Sequence, residues 1–257
     1  MAESYKIIAE QDYCTVVAKY ESSRKNGNAY QSEQDLERWL IEQLQRQGYE
    51  YPSIHNEKEL LENLRIQLGK ANDTEYSDKE WKSLQNKLTS ETLTMEDKAG
   101  MIQKENTAVE IERDNGIKTN VHLIHKDNVF KNNLQVINQY VPAGGTHANR
   151  YDVTILVNGL PLVHIELKRR GVSIREAFNQ INRYARESFW AGKGMFDYIQ
   201  LFIISNGTET KYYSNTTRYA REQEADKQKG KKKKIQSNSF EFTSYWSDRE
   251  NNLICDL

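Results

Sequence analysis

The sequence predicts an α/β fold in which a mixed central β-sheet is flanked by helices and preceded by a helical part of the chain. Apolar residues recur every three to four positions through the first hundred residues, and from Thr107 the period changes to two. Further on, the sequence shows a strand pattern, then the apolar stripe of one helix, then a second strand pattern. A helix that connects two strands in this way allows them to pair in parallel. Helical and strand periodicities therefore share one chain, as expected for a sheet covered by helices.

The helical part is predicted to hold three amphipathic helices. The first ends at Gly48 and Pro52, which stop helices, and the third begins at Ser77 with Glu80 three residues later, the pattern of a capping box. Their apolar stripes are expected to be packing faces, and they comprise Leu36, Leu40 and Leu44, then Leu60, Leu61, Leu64 and Leu68, and finally Trp81, Leu84 and Leu88.

Short β-strands are predicted from Thr107 onward. Segments 151–157 and 162–168 flank Asn158-Gly159, and this dipeptide supplies the positive φ angles of a tight hairpin turn. A helix then begins at Ser173, and the nearly continuous apolar run 198–204 that follows suits a central, parallel strand. The other predicted strands lie around Val109 and Ile111, around Val121 and Leu123, at 134–141, and at 211–213 after the turn Asn206-Gly207.

The composition of the 257 residues excludes several classes of protein. With 37% hydrophobic and 28% charged residues, no apolar run long enough to cross a bilayer and no secretory signal at its start, the chain is expected to be a soluble, cytoplasmic protein without a membrane partner. The two cysteines, Cys14 and Cys255, stand at opposite ends of the sequence and indicate neither a disulfide framework nor a cysteine zinc site.

Positive charge is a local feature, because the formal net charge of the chain is −1. A nucleic-acid partner would therefore have to bind a local basic surface. The candidates are Lys168-Arg169-Arg170, in which Arg169 and Arg170 would contact DNA phosphates, and the run 227–234 with its six lysines. A run of like charges without apolar residues is more typical of a solvated loop than of a binding site.

Glu-x-Lys triplets occur four times, and two of them lie on predicted helices, where positions two apart diverge. On strands such positions share a face, so the candidates are Glu166-Leu167-Lys168 and Glu209-Thr210-Lys211, each with an aspartate upstream. Asp197 would lie on the order of 20 Å from Glu209, too far to share an ion. The predicted site therefore consists of Asp152, Glu166 and Lys168.

This site depends on the register of the hairpin. A strict two-residue turn would pair residue 157 with 160 and place Asp152 opposite Ile165, on the other face from Glu166. One extra residue between Val157 and Pro161, as a three-residue loop or a β-bulge, would pair 157 with 161 and place Asp152 opposite Glu166, on one face with Lys168. We therefore predict this extra residue, with Val153, Ile165 and Leu167 directed to the opposite, apolar face.

Two carboxylates one cross-strand spacing apart repel each other unless a cation joins them. Oxygen ligands favour Mg²⁺ or a similar hard ion, which can activate water for phosphodiester hydrolysis while a lysine stabilises the developing charge. In the alternative interpretation, Asp152 and Glu166 lie in water at strand ends and Lys168 is an ordinary salt-bridge partner. A zinc site at His122 and His125 is a weaker alternative, because His-x-x-His on a strand directs its rings to opposite faces.

Several short motifs occur together between residues 147 and 213, namely Arg150-Tyr151-Asp152, Asn158-Gly159-Leu160-Pro161, Glu166-Leu167-Lys168, and Gln180 with Tyr184 in a Gln-x-x-x-Tyr arrangement. In this combination the chain resembles the PD-(D/E)xK nucleases, and more closely the N-terminal nuclease domain of the restriction (motor) subunit of type I restriction-modification enzymes. The resemblance is weaker over the opening helix at 32–51. The family's usual proline before the aspartate is absent, since Tyr151 precedes Asp152.

The resemblance implies a restriction-endonuclease-like core and a role for each motif residue. Asp152 and Glu166 would be metal ligands and Lys168 the catalytic lysine, with Mg²⁺ or Mn²⁺ as the cofactor. Gln180 and Tyr184 would support the site or orient the DNA. A helix-borne acid often completes such sites, and the candidates for it are Glu37 and Glu33.

The resemblance also implies partners, namely double-stranded DNA, the motor region of the same full-length subunit, and the methyltransferase and specificity subunits of the complex. ATP would bind the full-length subunit and not this fragment, because the sequence contains no Gly-x-x-x-x-Gly-Lys-Ser/Thr phosphate loop. The alternative function is that of a non-cutting DNA-binding or coupling module that docks on the motor and methyltransferase partners.

Three regions are expected along the chain. An endonuclease domain at 1–220 would contain a helical part at about 30–105 and a nuclease core at about 107–215. A basic flexible loop would follow at 221–239, and residues 240–257 would begin the connection to a missing motor region.

Overall fold

The computed structural model describes residues 5–11, 14–20, 32–104, 108–142, 150–184, 194–215, 240 and 243–248. The predicted connection at 142–145 falls mostly outside these residues, as do Ala185 of the predicted helical stripe and the lysine run 227–234. In the part of the chain that is described, no helix combines the length and the apolar character needed to cross a bilayer.

Between residues 32 and 104 the chain forms four helices, and they are α1 (Glu33–Arg46), α2 (Glu57–Ala71), α3 (Asp78–Leu88) and α4 (Met95–Gln103). Each begins at a side chain that accepts a hydrogen bond from the first turn, and the predicted capping box of Ser77 and Glu80 is confirmed. The three predicted stripes are confirmed as buried faces of α1, α2 and α3.

The prediction that the first hundred residues are helical is wrong at the start of the chain. Strands β1 (Tyr5–Gln11) and β2 (Cys14–Tyr20) pair there as an antiparallel two-stranded sheet. Their pairing contains two register shifts, so apolar and polar residues do not alternate in a clean period of two. The periodicity that identifies a regular strand is therefore missing from this hairpin.

A six-stranded mixed sheet forms the core of the molecule, as predicted. Its strands lie in the order β10-β9-β8-β7-β6-β5, and only β7 and β8 pair in parallel, with helix α5 (Ile174–Tyr184) between them in sequence. The strands are β5 (Leu134–Tyr140), β6 (Tyr151–Val157), β7 (Leu160–Leu167), β8 (Leu201–Ser205), β9 (Thr210–Ser214) and β10 (Ser244–Tyr245). The pair β3 (Val109–Glu112) and β4 (Lys118–Val121) forms a separate small sheet.

Two details differ from the sequence-based expectations. Residues Met195–Tyr198 form a 3₁₀ helix, so the predicted strand 198–204 begins three residues later, at Leu201. Strand β10 pairs with β9 and thus extends the sheet beyond residue 220, where the nuclease domain was expected to end. The division of the chain into domains stays a prediction.

Helices cover both faces of the sheet. Helix α1 packs on one face, where the buried cluster contains Leu36, Leu40, Ile41, Leu44, Val136, Val153, Ile165 and Leu167. The larger cluster on the other side contains residues of α2, α3 and α5. Because both faces are covered by apolar side chains, a charged group on the central strands loses its hydration and requires a compensating partner.

Candidate active site

The hairpin between β6 and β7 determines the register of the site. Asn158 and Gly159 have φ angles of 51° and 82°, and they form a two-residue turn that pairs Val157 with Leu160. A Cβ at Gly159 would lie 2.7 Å from the Cα of Leu64, so glycine also permits the close approach of helix α2. The Asn158 side chain is buried and donates to the carbonyl of Leu123 at 2.9 Å. The turn thus contacts helix α2 through Gly159 and the backbone at Leu123 through Asn158.

The hairpin does contain one extra residue, but it lies at Leu162 in β7 and not between Val157 and Pro161, where it was predicted. The register shifts between the pairs Leu156–Pro161 and Ile155–Val163, which leaves Leu162 as a β-bulge. The predicted pairing of Val157 with residue 161 and the option of a three-residue loop are therefore wrong.

Beyond the bulge, Val153 pairs with Ile165, and the next position along places Asp152 opposite Glu166. Asp152 Oδ2 accepts a hydrogen bond from the backbone N–H of Leu167 at 2.9 Å. Val153, Ile165 and Leu167 pack together against α1, as predicted. The register thus brings the two acids to one side of the sheet.

Lys168 completes a compact charged group. Its Nζ lies 3.2 Å from Glu166 Oε1 and donates to the carbonyl of Leu167 at 2.9 Å. Glu166 is fully buried and Lys168 nearly so. The alternative in which Asp152 and Glu166 lie in water at strand ends is therefore wrong for Glu166.

Burial dominates the electrostatics of the two acids. It raises the pKa of Asp152 to about 7, and the charge of Glu166 adds to this effect, while the Leu167 N–H and Lys168 oppose it. Burial also raises the pKa of Glu166 to about 7, against the lowering effects of Lys168 and of contact with Asp152. Both carboxyls therefore hold their protons more tightly than exposed acids do, and a bound cation would favour their ionised forms.

His164 belongs to the site but was missed in the sequence. Its Nε2 lies 3.4 Å from Glu166 Oε2, and its ring is fully buried against Tyr151 and Tyr184. Burial lowers the pKa of His164 to about 4, so the ring is neutral near pH 7. The available signal was its position two residues before Glu166 on the same strand, which places both side chains on one face.

Gln180 and Tyr184 form a connected pair on α5. The Gln180 amide donates to the Tyr184 hydroxyl, which donates in turn to the carbonyl of Arg150 at 2.9 Å. Burial and the charge of Glu166 raise the pKa of Tyr184, so the hydroxyl keeps its proton. The pair ties α5 to the chain two residues before Asp152, so it can orient the start of β6.

The two acids of α1 lie at different points of the site. Glu33 Oε2 is 3.8 Å from Lys168 Nζ, and Glu33 Oε1 accepts from the backbone N–H of Arg169 at 3.4 Å. Glu37 accepts hydrogen bonds from the side-chain amides of Asn138 and Gln139. Burial raises the pKa of Glu37, those two bonds lower it, the charge of Asp152 raises it further, and the charge of Arg150 lowers it.

A groove of about 1080 Å³ opens beside Asp152, between α1 and α5. Its lining includes Glu37 and the basic residues Arg38, Arg150 and Arg183, of which the sequence analysis named only Arg150, as part of a motif. Of the predicted phosphate contacts, Arg169 is exposed and Arg170 is half-buried. The arginines of the groove therefore come from three separate segments of the chain.

The competing acid Asp197 has a different environment. Its Oδ2 lies 2.6 Å from Lys98 Nζ, and the two side chains form a buried ion pair that joins α4 to the 3₁₀ helix. Lys211, the lysine of the rejected triplet, instead donates to Thr243 Oγ1 at 2.8 Å. The rejection of a site at Asp197, Glu209 and Lys211 is consistent with these contacts.

The prediction that His122 and His125 lie on a strand is wrong. Strand β4 ends at Val121, so the strand rule does not apply, and the two ring centroids lie 5.7 Å apart. His125 Nε2 lies 2.6 Å from the carbonyl oxygen of Ala71. Within the described segments, no group of three or more His, Cys, Asp or Glu side chains is arranged to hold a metal ion.

The pair of Asp152 and Glu166 nevertheless has the donors that a hard cation needs. Mg²⁺ is often held by one or two carboxylates and otherwise by water. Glu166 Oε2 is buried and has no partner with hydrogen-bond geometry among the described residues, so it has an unused acceptor. The residues present therefore fit an oxygen-ligated divalent cation.

Comparisons with known proteins agree on one family. The family model described as "Type I restriction enzyme R protein N terminus (HSDR_N)" matches residues 30–221. The chain is similar to the "Type I restriction enzyme EcoprrI endonuclease subunit" of Escherichia coli, with 44% identity over 263 residues that cover 100% of this chain and 77% of the relative.

Two staphylococcal relatives are considerably longer. The SauMSSORF170P endonuclease subunit of Staphylococcus aureus is 39% identical over 233 residues, which cover 89% of this chain and 22% of that protein. The SsaAORF53P endonuclease subunit of Staphylococcus saprophyticus is 40% identical over 236 residues, again covering 89% of this chain and 22% of the relative. The chain thus spans about a fifth of the length of these two proteins.

Proposed function

The chain belongs to the family of type I restriction enzyme R protein N termini, and we propose that it is a metal-dependent endonuclease domain that hydrolyses phosphodiester bonds of double-stranded DNA. The observation that carries this proposal is the placement of Asp152 opposite Glu166, with Lys168 Nζ 3.2 Å from the Glu166 carboxylate. A fully buried acid, a half-buried acid beside it and a nearly buried lysine are costly to keep against an apolar core unless they serve chemistry.

Each member of this group has a proposed role. Asp152 and Glu166 would hold Mg²⁺ or Mn²⁺, and the bound ion would supply Lewis acidity toward a phosphoryl oxygen and a more acidic water. Lys168 would stabilise the extra negative charge that develops on the phosphate, because its ammonium group is already fixed by Glu166 and the Leu167 carbonyl. Neutral His164 would support Glu166 from the buried side.

The remaining predicted residues would position the substrate and the site. Gln180 and Tyr184 would keep the start of β6, and with it Asp152, in place through the Arg150 carbonyl. Glu33 would help hold Lys168. Arg169 remains the proposed phosphate contact because its side chain is exposed.

Family membership extends the proposal to the larger protein. The relatives' names describe endonuclease subunits of type I restriction enzymes. By that similarity, we propose that this domain works with a motor region of the same subunit, which would use ATP, and with methyltransferase and specificity subunits in the cytoplasm. Recognition of a DNA sequence would belong to the specificity subunit.

We expect the isolated chain to cut DNA slowly and without sequence preference. Contacts to phosphates attract any duplex, whereas base readout needs an element that enters a groove of the DNA. Unrelated plasmids incubated with the chain and Mg²⁺ or Mn²⁺ should be nicked at scattered positions, and chelation of the metal should stop the reaction. Cleavage at one defined sequence would contradict this expectation. Failure to cut with metal bound would favour the non-cutting coupling module.

A further inference from the structure

We propose that Asn138 and Gln139 form an amide clamp that holds the Glu37 carboxylate at the groove beside Asp152 and thereby raises the affinity of the proposed site for a divalent cation. This inference rests on the endonuclease function proposed above. Asn138 and Gln139 would be positioning residues, since they act through Glu37.

The clamp consists of two consecutive side chains on one carboxylate. The Asn138 amide donates to Glu37 Oε1, and the Gln139 amide donates to Glu37 Oε2. Consecutive residues of a regular strand direct their side chains to opposite faces of the sheet. Strand β5 must therefore depart from regular geometry to bring both amides to α1.

That departure is visible in the backbone at Gln139. Its φ is 54°, in the left-handed region that a residue with a Cβ seldom adopts, while Asn138 and Tyr140 on either side keep the register of β5 with β6. Backbone strain of this kind persists only where surrounding contacts impose it, and it is concentrated at functional sites. The strained residue is one of the two that hold Glu37.

The clamp is itself oriented by a further contact. Tyr51 donates its hydroxyl hydrogen to Asn138 Oδ1 at 2.7 Å, which leaves the NH₂ group of the same amide for Glu37. Both amides are neutral donors. They donate hydrogen bonds to the two oxygens of Glu37 and leave its negative charge in place. A lysine or an arginine in their position would neutralise that charge.

The position of the clamp links it to the site. In the register of β5 with β6, Gln139 lies opposite Asp152, and on the other side of β6 Asp152 lies opposite Glu166. Glu37 and Asp152 both line the groove. A fixed third carboxylate beside the pair increases the attraction of the site for a hydrated divalent cation.

Two substitutions of Gln139 separate the effect of its side-chain amide from the effect of its backbone conformation. Gln139→Gly and Gln139→Ala both remove the amide, but only alanine keeps the left-handed strain. We expect both variants of the full chain to lose about tenfold in Mn²⁺ affinity, measured by calorimetry, and about tenfold in plasmid cleavage. The melting temperature of the glycine variant should exceed that of the alanine variant by about 2 to 4 °C.

Two further variants serve as controls. Gln135→Ala removes a buried amide of β5 that contacts Asn63 and Glu50 rather than Glu37, and it should lower the melting temperature while leaving Mn²⁺ affinity unchanged. In a Glu37→Gln background, Gln139→Ala should cause no further loss of Mn²⁺ affinity, because the two residues act as one unit.

The outcomes decide between the clamp and a structural role. Wild-type Mn²⁺ affinity in both Gln139 variants would overturn the proposal, and so would a loss in the alanine variant that glycine restores, since the backbone alone would then matter. If the wild-type chain binds Mn²⁺ but cuts no DNA, the endonuclease function fails, while the affinities still test the clamp.

Discussion

Replacement of Asp152 by Asn, of Glu166 by Gln or of Lys168 by Met is expected to reduce DNA cleavage by about a thousandfold or more. The first two changes each remove one charge of a pair that lies cross-strand on a buried face, and neither amide can replace an ionised metal ligand. The third removes the ammonium group 3.2 Å from Glu166. Because the three groups act as a unit, a double variant should lose little more than a single one.

The measurement is the rate of plasmid nicking at saturating Mg²⁺, normalised to folded protein. Asp197→Asn is the matched control, since it also neutralises a largely buried acid but one that pairs with Lys98 outside the site. It should lower stability and leave the normalised rate within about twofold of wild type. A Glu166→Gln variant that keeps the wild-type rate would exclude Glu166 from catalysis.

The second large effect concerns stability and pH in the absence of metal. The stability advantage of the Asp152→Asn/Glu166→Gln double variant over the wild type should grow by about 5 kcal/mol between pH 5 and pH 8. Both acids have a pKa raised to about 7 in the folded chain, against ordinary values near 4 when unfolded. Between these values the folded state binds more protons, so these two acids lower the stability as pH rises from about 4 to 7.

Urea unfolding of both proteins at pH 5 and pH 8, with chelator present, measures this difference. The comparison between the two proteins is needed because buried His164, with its pKa lowered to about 4, acts in the opposite direction as pH falls below 6.5. A double variant that is less stable than the wild type at pH 8 would contradict this expectation. It would show that the two ionised carboxylates stabilise the fold, because other groups of the chain offset the cost of burying their charges.

Much of the site could be predicted because short-range rules apply to it. Asn158-Gly159 identified the turn, and the spacing of Glu166 and Lys168 placed two side chains on one face of a strand. An extra residue was inferred only because the proposed chemistry needed it, and it was placed between Val157 and Pro161 instead of at Leu162. No residue type marks such a bulge, since its position depends on how β7 packs against the rest of the molecule.

Other features could not be predicted from local pattern. Gln139 has a left-handed backbone conformation that neither its residue type nor its sequence neighbours predict. This conformation goes with a contact to Glu37, which is distant in sequence. The burial of His164 and the groove-facing Arg38 and Arg183 likewise depend on the packing of α1 and α5 against the sheet. Strands β1 and β2 were not predicted, because strands that pair with register shifts do not show the regular alternation of apolar and polar residues that identifies a strand.

Calorimetric titration of Mg²⁺ or Mn²⁺ into the wild type and the Asp152→Ala and Glu166→Ala variants tests most directly whether these two acids hold one cation. We predict that the wild type binds the ion and that each substitution weakens binding by at least about tenfold, because each removes one of only two proposed protein ligands. An affinity that is unchanged in either variant would contradict the proposed site.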